Sequence, residues 1–113
     1  MNFKISFFVP IDYSEKVKEA LFSSGAGKIG AYDCCSFEVE GLGQFRPLKG
    51  SRPFIGSEQV IEKVRELKVE MICSSEYLKD ALRALKKSHP YEMPAFDVIK
   101  LEDIMSDFKE ERK

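Results

Sequence analysis

The chain has 113 residues, with 18 Lys and Arg against 19 Asp and Glu, so its formal net charge is -1. This length predicts one compact domain, and the 43% of apolar residues, nine of them Phe, can form a hydrophobic core. A nearly neutral chain without a block rich in Lys and Arg is not typical of nucleic-acid-binding proteins. We therefore expect no nucleic acid partner.

Export and membrane insertion are also not expected. The apolar run from Ile5 to Ile11 is too short for a membrane span and lacks the features of a signal peptide. Three cysteines, an odd number, indicate free thiols rather than a disulfide framework. The sequence thus predicts a cytoplasmic protein.

The first half of the chain predicts a strand, a helix and a second strand. Apolar residues alternate from Phe3 to Val9, which is the period of a strand, and helical spacing predicts the first helix from about Tyr13 to Ser23, with Gly25 as its C-terminal cap. A period of two returns from Ala31 to Glu40 and predicts the second strand. A loop rich in Gly and Pro then runs from Gly41 to Gly56, and we expect it to be ordered by burial of its phenylalanines.

The second half repeats the same order. One strand is predicted from about Gln59 to Ser74, although Gln59 to Glu66 also fits a helix. The apolar stripe from Leu78 to Leu85 predicts the second helix, which Pro90 ends, and Ala95 to Leu101 predicts the fourth strand. Residues 102–113 form a charged tail with the pattern of a short helix around Ile104 and Phe108.

This order, βαββαβ, predicts an α+β, ferredoxin-like domain over residues 1–101, with one antiparallel sheet and two helices on one face. A long loop joins the second and third strands. The other face of the sheet needs a cover, and a second copy of the chain is the simplest one.

A glycine pattern in the middle of the chain imitates a nucleotide-binding motif. Gly25 to Gly30 matches G-x-G-x-x-G, but these glycines follow a helix and precede a strand, the reverse of the order that places a pyrophosphate at a helix N-terminus. The pattern therefore favours a helix cap and a tight turn.

One set of side chains could bind a metal ion. Cys34, His89 and Glu92 supply the thiolate, imidazole and carboxylate donors that suit a divalent metal such as zinc or copper. No pair of them has a tight ligand spacing. The alternative for His89, the only histidine, is a cap at the C-terminus of the second helix.

Three basic residues of the long loop, Arg46, Lys49 and Arg52, would suit a small anion, but a solvated surface loop is favoured. Nucleophilic catalysis has little support, since one histidine with scattered serines lacks the spacing of a nucleophile and its base, and a pair of Cys34 and His89 is the remaining alternative.

Several motifs together carry a family resemblance. The chain resembles the inserted domain of Nif-three-like proteins through Gly25 to Gly30, Tyr32, Cys35 to Phe37, Gly41, Gly43, Phe45 to Pro47, Gly50, Pro53 to Gly56, His89 to Glu92 and Pro94 to Val98. The resemblance covers residues 2–101 and implies a stand-alone copy of that insert. The insert in turn resembles the CutA and PII proteins, which commonly form trimers.

The resemblance implies a self-associating, non-enzymatic module for a small ligand or a protein partner, with a trimer preferred over a dimer. The two-metal site of the family is built by flanking domains, so no hydrolase activity is carried over; a CutA-like role in binding divalent metal is the alternative. An enzyme with its site at a subunit interface is less favoured. The candidate ligand or interface residues are Tyr32, Ser36, Phe45, Arg46, Phe54, Pro90 and Tyr91.

Overall fold

The computed structural model describes residues 1–102 and contains four strands and two helices. The strands are β1 (Asn2–Pro10), β2 (Phe37–Phe45), β3 (Glu62–Ser74) and β4 (Phe96–Leu101), and the helices are α1 (Ser14–Ser23) and α2 (Leu78–Ser88). Short 3-10 turns, Ile11–Tyr13 and Ser75–Tyr77, lead into the two helices. The prediction of a short helix in the charged tail lies outside the described residues.

The four strands form one antiparallel sheet in the order β2-β3-β1-β4. The predicted ferredoxin-like α+β fold is therefore confirmed. The central pair is β1 and β3, which align Phe7 with Val69, while β4 closes the other side of β1 and aligns Val98 with Ile5.

The hydrophobic core lies between the sheet and the two helices, because alternate residues of β1 and β3 point toward the helices. Its members are at most 9% exposed. They are Ile5, Phe7, Val9, Val17, Leu21, Ala26, Leu67, Val69, Met71, Cys73, Ala81 and Leu85.

Gly25 ends α1 as the sequence predicts. Its φ of 114° lies in the left-handed region, its amide donates to the Phe22 carbonyl, and the Ala26 amide donates to the Leu21 carbonyl. These two bonds form a Schellman motif. A Cβ at Gly25 would also collide with the Tyr77 ring. The glycine pattern thus caps a helix and enters a turn, as expected.

The second strand was placed wrongly from the sequence. It runs over Phe37–Phe45 and not Ala31–Glu40, because a turn closed by paired backbone bonds between Ile29 and Tyr32 precedes it and Cys34 has a φ of 55°. Both features interrupt an extended chain. The following connection to β3 therefore covers residues 46–61.

The apolar residues of β2 lie on the sheet face away from the core. Phe37 and Val39 lie on the sheet face opposite the helices, aligned with Glu70 and Lys68 of β3. Glu38 lies on the helix side, where its carboxylate accepts a hydrogen bond from Lys18 of α1 at 2.9 Å. The apolar side of this edge strand is thus open to solvent.

The β2-β3 ladder extends past the end of β1. Pro10 aligns with Glu66, whereas Glu62 to Arg65 pair with β2 alone. This overhang brings Phe45, at the end of β2, and the loop that follows it beyond the main sheet. Among the described residues, neither helix is long and apolar enough to cross a membrane.

Candidate functional site

A cavity of about 550 Å³ lies where the overhang meets the long loop and the turn after α2. Its walls come from β1, the end of β2, residues 46–55 of the loop, β3 and the segment from Tyr91 to Ala95. They are Phe8, Gln44, Phe45, Arg46, Pro47, Leu48, Ser51, Pro53, Phe54, Ile55, Glu66, Tyr91, Glu92, Met93 and Ala95. Cavities of this size, mostly apolar with a few polar groups, are typical of small-molecule sites.

His89 fixes the turn that forms one wall. Its Nε2 lies 2.7 Å from the Phe8 carbonyl oxygen, and its Nδ1 accepts a hydrogen bond from the Tyr91 amide at 3.0 Å. Both ring nitrogens are therefore engaged, with the proton on Nε2. Burial lowers the pKa of His89, so the ring is neutral at pH 7. His89 is an internal tie between α2 and β1.

Two contacts hold the long loop against the domain. The Glu92 carboxylate accepts a hydrogen bond from the Arg52 amide at 2.9 Å, and the Phe54 ring meets the Tyr13 ring edge to face with centroids 5.2 Å apart. Phe45 is partly buried, but Phe54 remains 48% exposed. The expectation that both phenylalanines are buried anchors is therefore wrong for Phe54, which rests on the surface of the domain.

Glu66 supplies a partly buried carboxyl group to the cavity. Burial raises its pKa above the usual range for a glutamate. Gly43 makes room for it, since a Cβ built at that position would collide with the Glu66 carboxylate. The other two charged residues that line the cavity, Arg46 and Glu92, are exposed.

Tyr91 lies across the cavity wall with its ring edge to face with Phe45, the centroids being 5.8 Å apart. Its hydroxyl oxygen is buried and has no hydrogen-bond partner among the described residues. Burial, followed by the charges of Glu66 and Glu62, raises the pKa of this hydroxyl. A buried hydroxyl without a partner costs free energy until a ligand or water bonds to it.

The structure brings together only part of the set that the sequence singled out. Phe45, Arg46, Phe54, Tyr91 and Glu92 line the cavity, and Pro90 lies in the turn next to it. Exposed Tyr32 and Ser36 belong to the segment before β2 instead.

The three metal-ligand candidates do not meet within one chain. The Cys35 amide bonds to the Gly27 carbonyl, and the Gly27 amide to Ile72 near the far end of β3. Cys34 therefore lies at that end of the sheet, whereas His89 is bonded beside Phe8. Residues 1–102 contain no group of three His, Cys, Asp or Glu side chains that could hold a metal ion. With both His89 nitrogens engaged, this donor set does not fit a metal within one chain.

Sequence reasoning missed Glu66 and Phe8. Both face away from the helices in strands whose neighbouring residues are core, so a scan for the core passes over them. One signal was available: Gly41 and Gly43 sit in alternate positions of β2, and such glycines indicate the close approach of another group.

Comparison with known proteins gives the same family. No protein-family model matches the chain. It is 42% identical over 99 residues to the GTP cyclohydrolase 1 type 2 homolog of Bacillus subtilis, covering 88% of this chain and 26% of that protein. The Mycobacterium tuberculosis protein of the same name is 44% identical over 94 residues, covering 83% of this chain and 25% of its own length. The chain thus spans about a quarter of these relatives.

Solved structures extend the comparison to the fold. A Bacillus cereus protein related to NIF3 matches with a TM-score of 0.77 and 35% identity, over 90% of this chain and 26% of that one. The periplasmic divalent cation tolerance protein CutA of Archaeoglobus fulgidus matches with a TM-score of 0.65 and 20% identity, over 96% and 91% of the two chains. The resemblance stated from the motifs is confirmed.

Proposed function

Because this chain is homologous to a segment of Nif-three-like proteins and shares the fold of CutA, we propose that it is a non-enzymatic, self-associating cytoplasmic module that binds a small ligand. The cavity between the long loop and the turn after α2 carries this proposal. Its walls come from three strands, the long loop and the turn after α2, and the contacts of His89 and Glu92 hold the loop and the turn in place. A cavity formed in advance lowers the entropic cost of binding.

The support for a binding role, and not an enzymatic one, comes from the chemistry of the cavity. His89 is the only histidine, and its two nitrogens bond to backbone groups, so it has no free nitrogen with which to act as a general base. Some relatives are named GTP cyclohydrolase 1 type 2 homolog, but this chain spans only about a quarter of them. Their name therefore does not support a cyclohydrolase activity of this chain.

The binding role is tested with phenethyl alcohol, a neutral probe that fits the cavity. Amide spectra of labelled protein should show saturable shifts near Phe45 and Tyr91. In Ala95→Trp, which places a large ring at the cavity wall, these shifts should be lost. A matched substitution outside the cavity, Ile29→Trp, should keep them. Shifts that persist in Ala95→Trp would contradict a ligand site here.

Self-association is supported by the uncovered sheet face. Phe37, Val39 and Ile99 lie on the face opposite the helices and are 65%, 48% and 50% exposed. These apolar residues lie on the two edge strands, with Lys4, Lys68 and Glu70 of the central strands between them, and exposed apolar groups of this kind favour an interface between copies. A second copy of the chain presents the same face, and the resemblance to CutA favours a trimer over a dimer.

Light scattering coupled to size exclusion at micromolar concentration tests the assembly. The wild type should elute at about three times 12.9 kDa. Phe37→Lys should dissociate it, whereas Ile29→Lys, at an exposed apolar residue in the turn before β2, should not. A wild-type monomer of 12.9 kDa would overturn self-association.

Divalent-metal binding remains the alternative function, and within one chain the donors do not fit it. A site would need a thiolate from one copy and carboxylates from another. Elemental analysis of metal-replete wild type beside Cys34→Ser decides this question: one ion per chain that is lost in the variant would support metal binding, and much less than one ion in the wild type would exclude it.

A further inference from the structure

The polar groups of the cavity indicate which ligand it takes. Two of them are not satisfied by the protein: the buried Tyr91 hydroxyl, without a hydrogen-bond partner among residues 1–102, and the Glu66 carboxyl, half withdrawn from water without an ion pair among those residues. Elsewhere on β3 a similar group is neutralised, since Glu70 pairs with Lys4 at 3.2 Å. Within residues 1–102, Glu66 is thus a partly buried carboxyl without a counter-charge.

The remaining walls favour an organic cation over a metal ion. Phe8, Phe45, Phe54 and Tyr91 contribute aromatic rings, whose faces attract ammonium groups. One buried carboxyl and one hydroxyl are too few donors for a divalent metal, which requires four or more. The aromatic and aliphatic residues leave space for an apolar body next to the charged group.

An anionic ligand fits less well. The single cationic side chain that lines the cavity, Arg46, is exposed, whereas the more buried charge belongs to Glu66. A carboxylate or phosphate placed beside Glu66 would add like-charge repulsion to the cost of its own desolvation.

We propose that the cavity binds an amine with an apolar, preferably aromatic, body. Its ammonium group lies between the Glu66 carboxylate and the Tyr91 hydroxyl, and its body contacts Phe45 and the loop. The Tyr91 hydroxyl then gains a hydrogen-bond partner, and Glu66 gains a counter-charge. This inference rests on the proposed ligand site and adds the chemical class of its ligand.

Three probes that share a phenethyl body and differ in charge test the inference on the assembled protein. They are phenethylamine, phenethyl alcohol and hydrocinnamate, titrated at pH 7.5 with calorimetry and amide spectra. Phenethylamine should bind at least tenfold more tightly than the other two. Glu66→Gln should abolish the preference for the amine, Tyr91→Phe should reduce it, and Glu70→Gln, a change of the same chemistry on the same face of β3, should leave it unchanged.

The outcomes separate the ligand class from the ligand site. Equal binding of the amine and the alcohol, or tighter binding of hydrocinnamate, would overturn the amine while the cavity remains a ligand site. A preference that survives in Glu66→Gln would also overturn it. Failure of all three probes to bind saturably would overturn the amine and the proposed ligand site together.

Discussion

The imidazole of His89 lies 2.7 Å from the carbonyl oxygen of Phe8, 81 positions away in the sequence. Through this bond the turn after α2 is tied to the central strand of the sheet. The ring is buried, and its second nitrogen accepts the Tyr91 amide. One side chain thus determines where a wall of the cavity stands.

Loss of the hydrogen bonds of His89 should lower the stability of the fold. His89→Ala leaves a buried carbonyl and a buried amide without partners and should lower the free energy of unfolding by about 2 to 4 kcal/mol at pH 7.5. Ser88→Ala, which removes a hydroxyl bonded to the backbone of its own helix, should cost less than about 1 kcal/mol. Urea denaturation measures both values, and equal costs would contradict the role of His89.

The same residue predicts a dependence on pH. Burial lowers the pKa of His89 below its ordinary value near 6.5, so its contribution to stability is present above that pH and is lost as pH falls through the lower, folded value. The wild type should lose stability between pH 6.5 and 5 more steeply than His89→Ala. Parallel curves for the two proteins would show that His89 titrates alike in the folded and unfolded chains.

Glu66 and Glu70 should respond to neutralisation in opposite directions. Burial raises the pKa of Glu66, so its charge destabilises the fold as pH rises through the folded value, and Glu66→Gln should gain up to about 1 kcal/mol at pH 7 after solvent screening. The hydrogen bond from Lys4 lowers the pKa of Glu70, so Glu70→Gln should lose stability at pH 7. The Glu66 difference should disappear as pH falls below the ordinary glutamate pKa, and the Glu70 difference only as pH falls through its lower, folded pKa; thermal melts against pH check both.

The lack of a side chain at Gly43 should determine the position and the pKa of the Glu66 carboxyl. A Cβ at Gly43 would collide with the Glu66 carboxylate, whereas a Cβ at Gly41 meets no atom within 4 Å. Gly43→Ala should push the carboxyl toward water and return its pKa toward the usual range, and Gly41→Ala should leave that pKa unchanged. Carboxyl carbon shifts followed against pH measure this. An unchanged Glu66 in both variants would mean that its position does not depend on Gly43.

The two loop phenylalanines should differ in their contribution to stability. Phe45 is partly buried against Tyr91, so Phe45→Ala should cost about 1.5 to 3 kcal/mol. Phe54 is 48% exposed, so Phe54→Ala should cost about 1 kcal/mol or less. Chemical denaturation of the two variants at equal concentration compares them, and a larger loss from Phe54 would place the main anchor of the loop there.

Elements with a strong local pattern could be predicted from the sequence. The stripe of α2 and the glycine that ends α1 are local signals, and the structure follows both. The position of β2 could not be predicted in the same way. The period of two starts at Ala31, but the strand begins only where the left-handed backbone of Cys34 has been passed.

The residues of the candidate site also fall into those with a local sequence signal and those without one. Phe45 and Tyr91 stood out because the sequence predicted them in a loop and a turn with unusual composition. Glu66 belongs to the middle of a regular strand, and its importance depends on the overhang of the β2-β3 ladder and on the absence of a side chain at Gly43. Those are relations between strands, which no local pattern reports.

The position of β1 in the sheet determines when this domain can fold during synthesis. It pairs on one side with β3 and on the other with β4, and Asn2 aligns with Leu101. The chain as far as Leu101 must leave the ribosome before β1 has both of its neighbours. Such non-local pairing slows folding and keeps a strand edge exposed to other nascent chains in the meantime. Copies made on one polysome would therefore be at greatest risk of mispairing through β1.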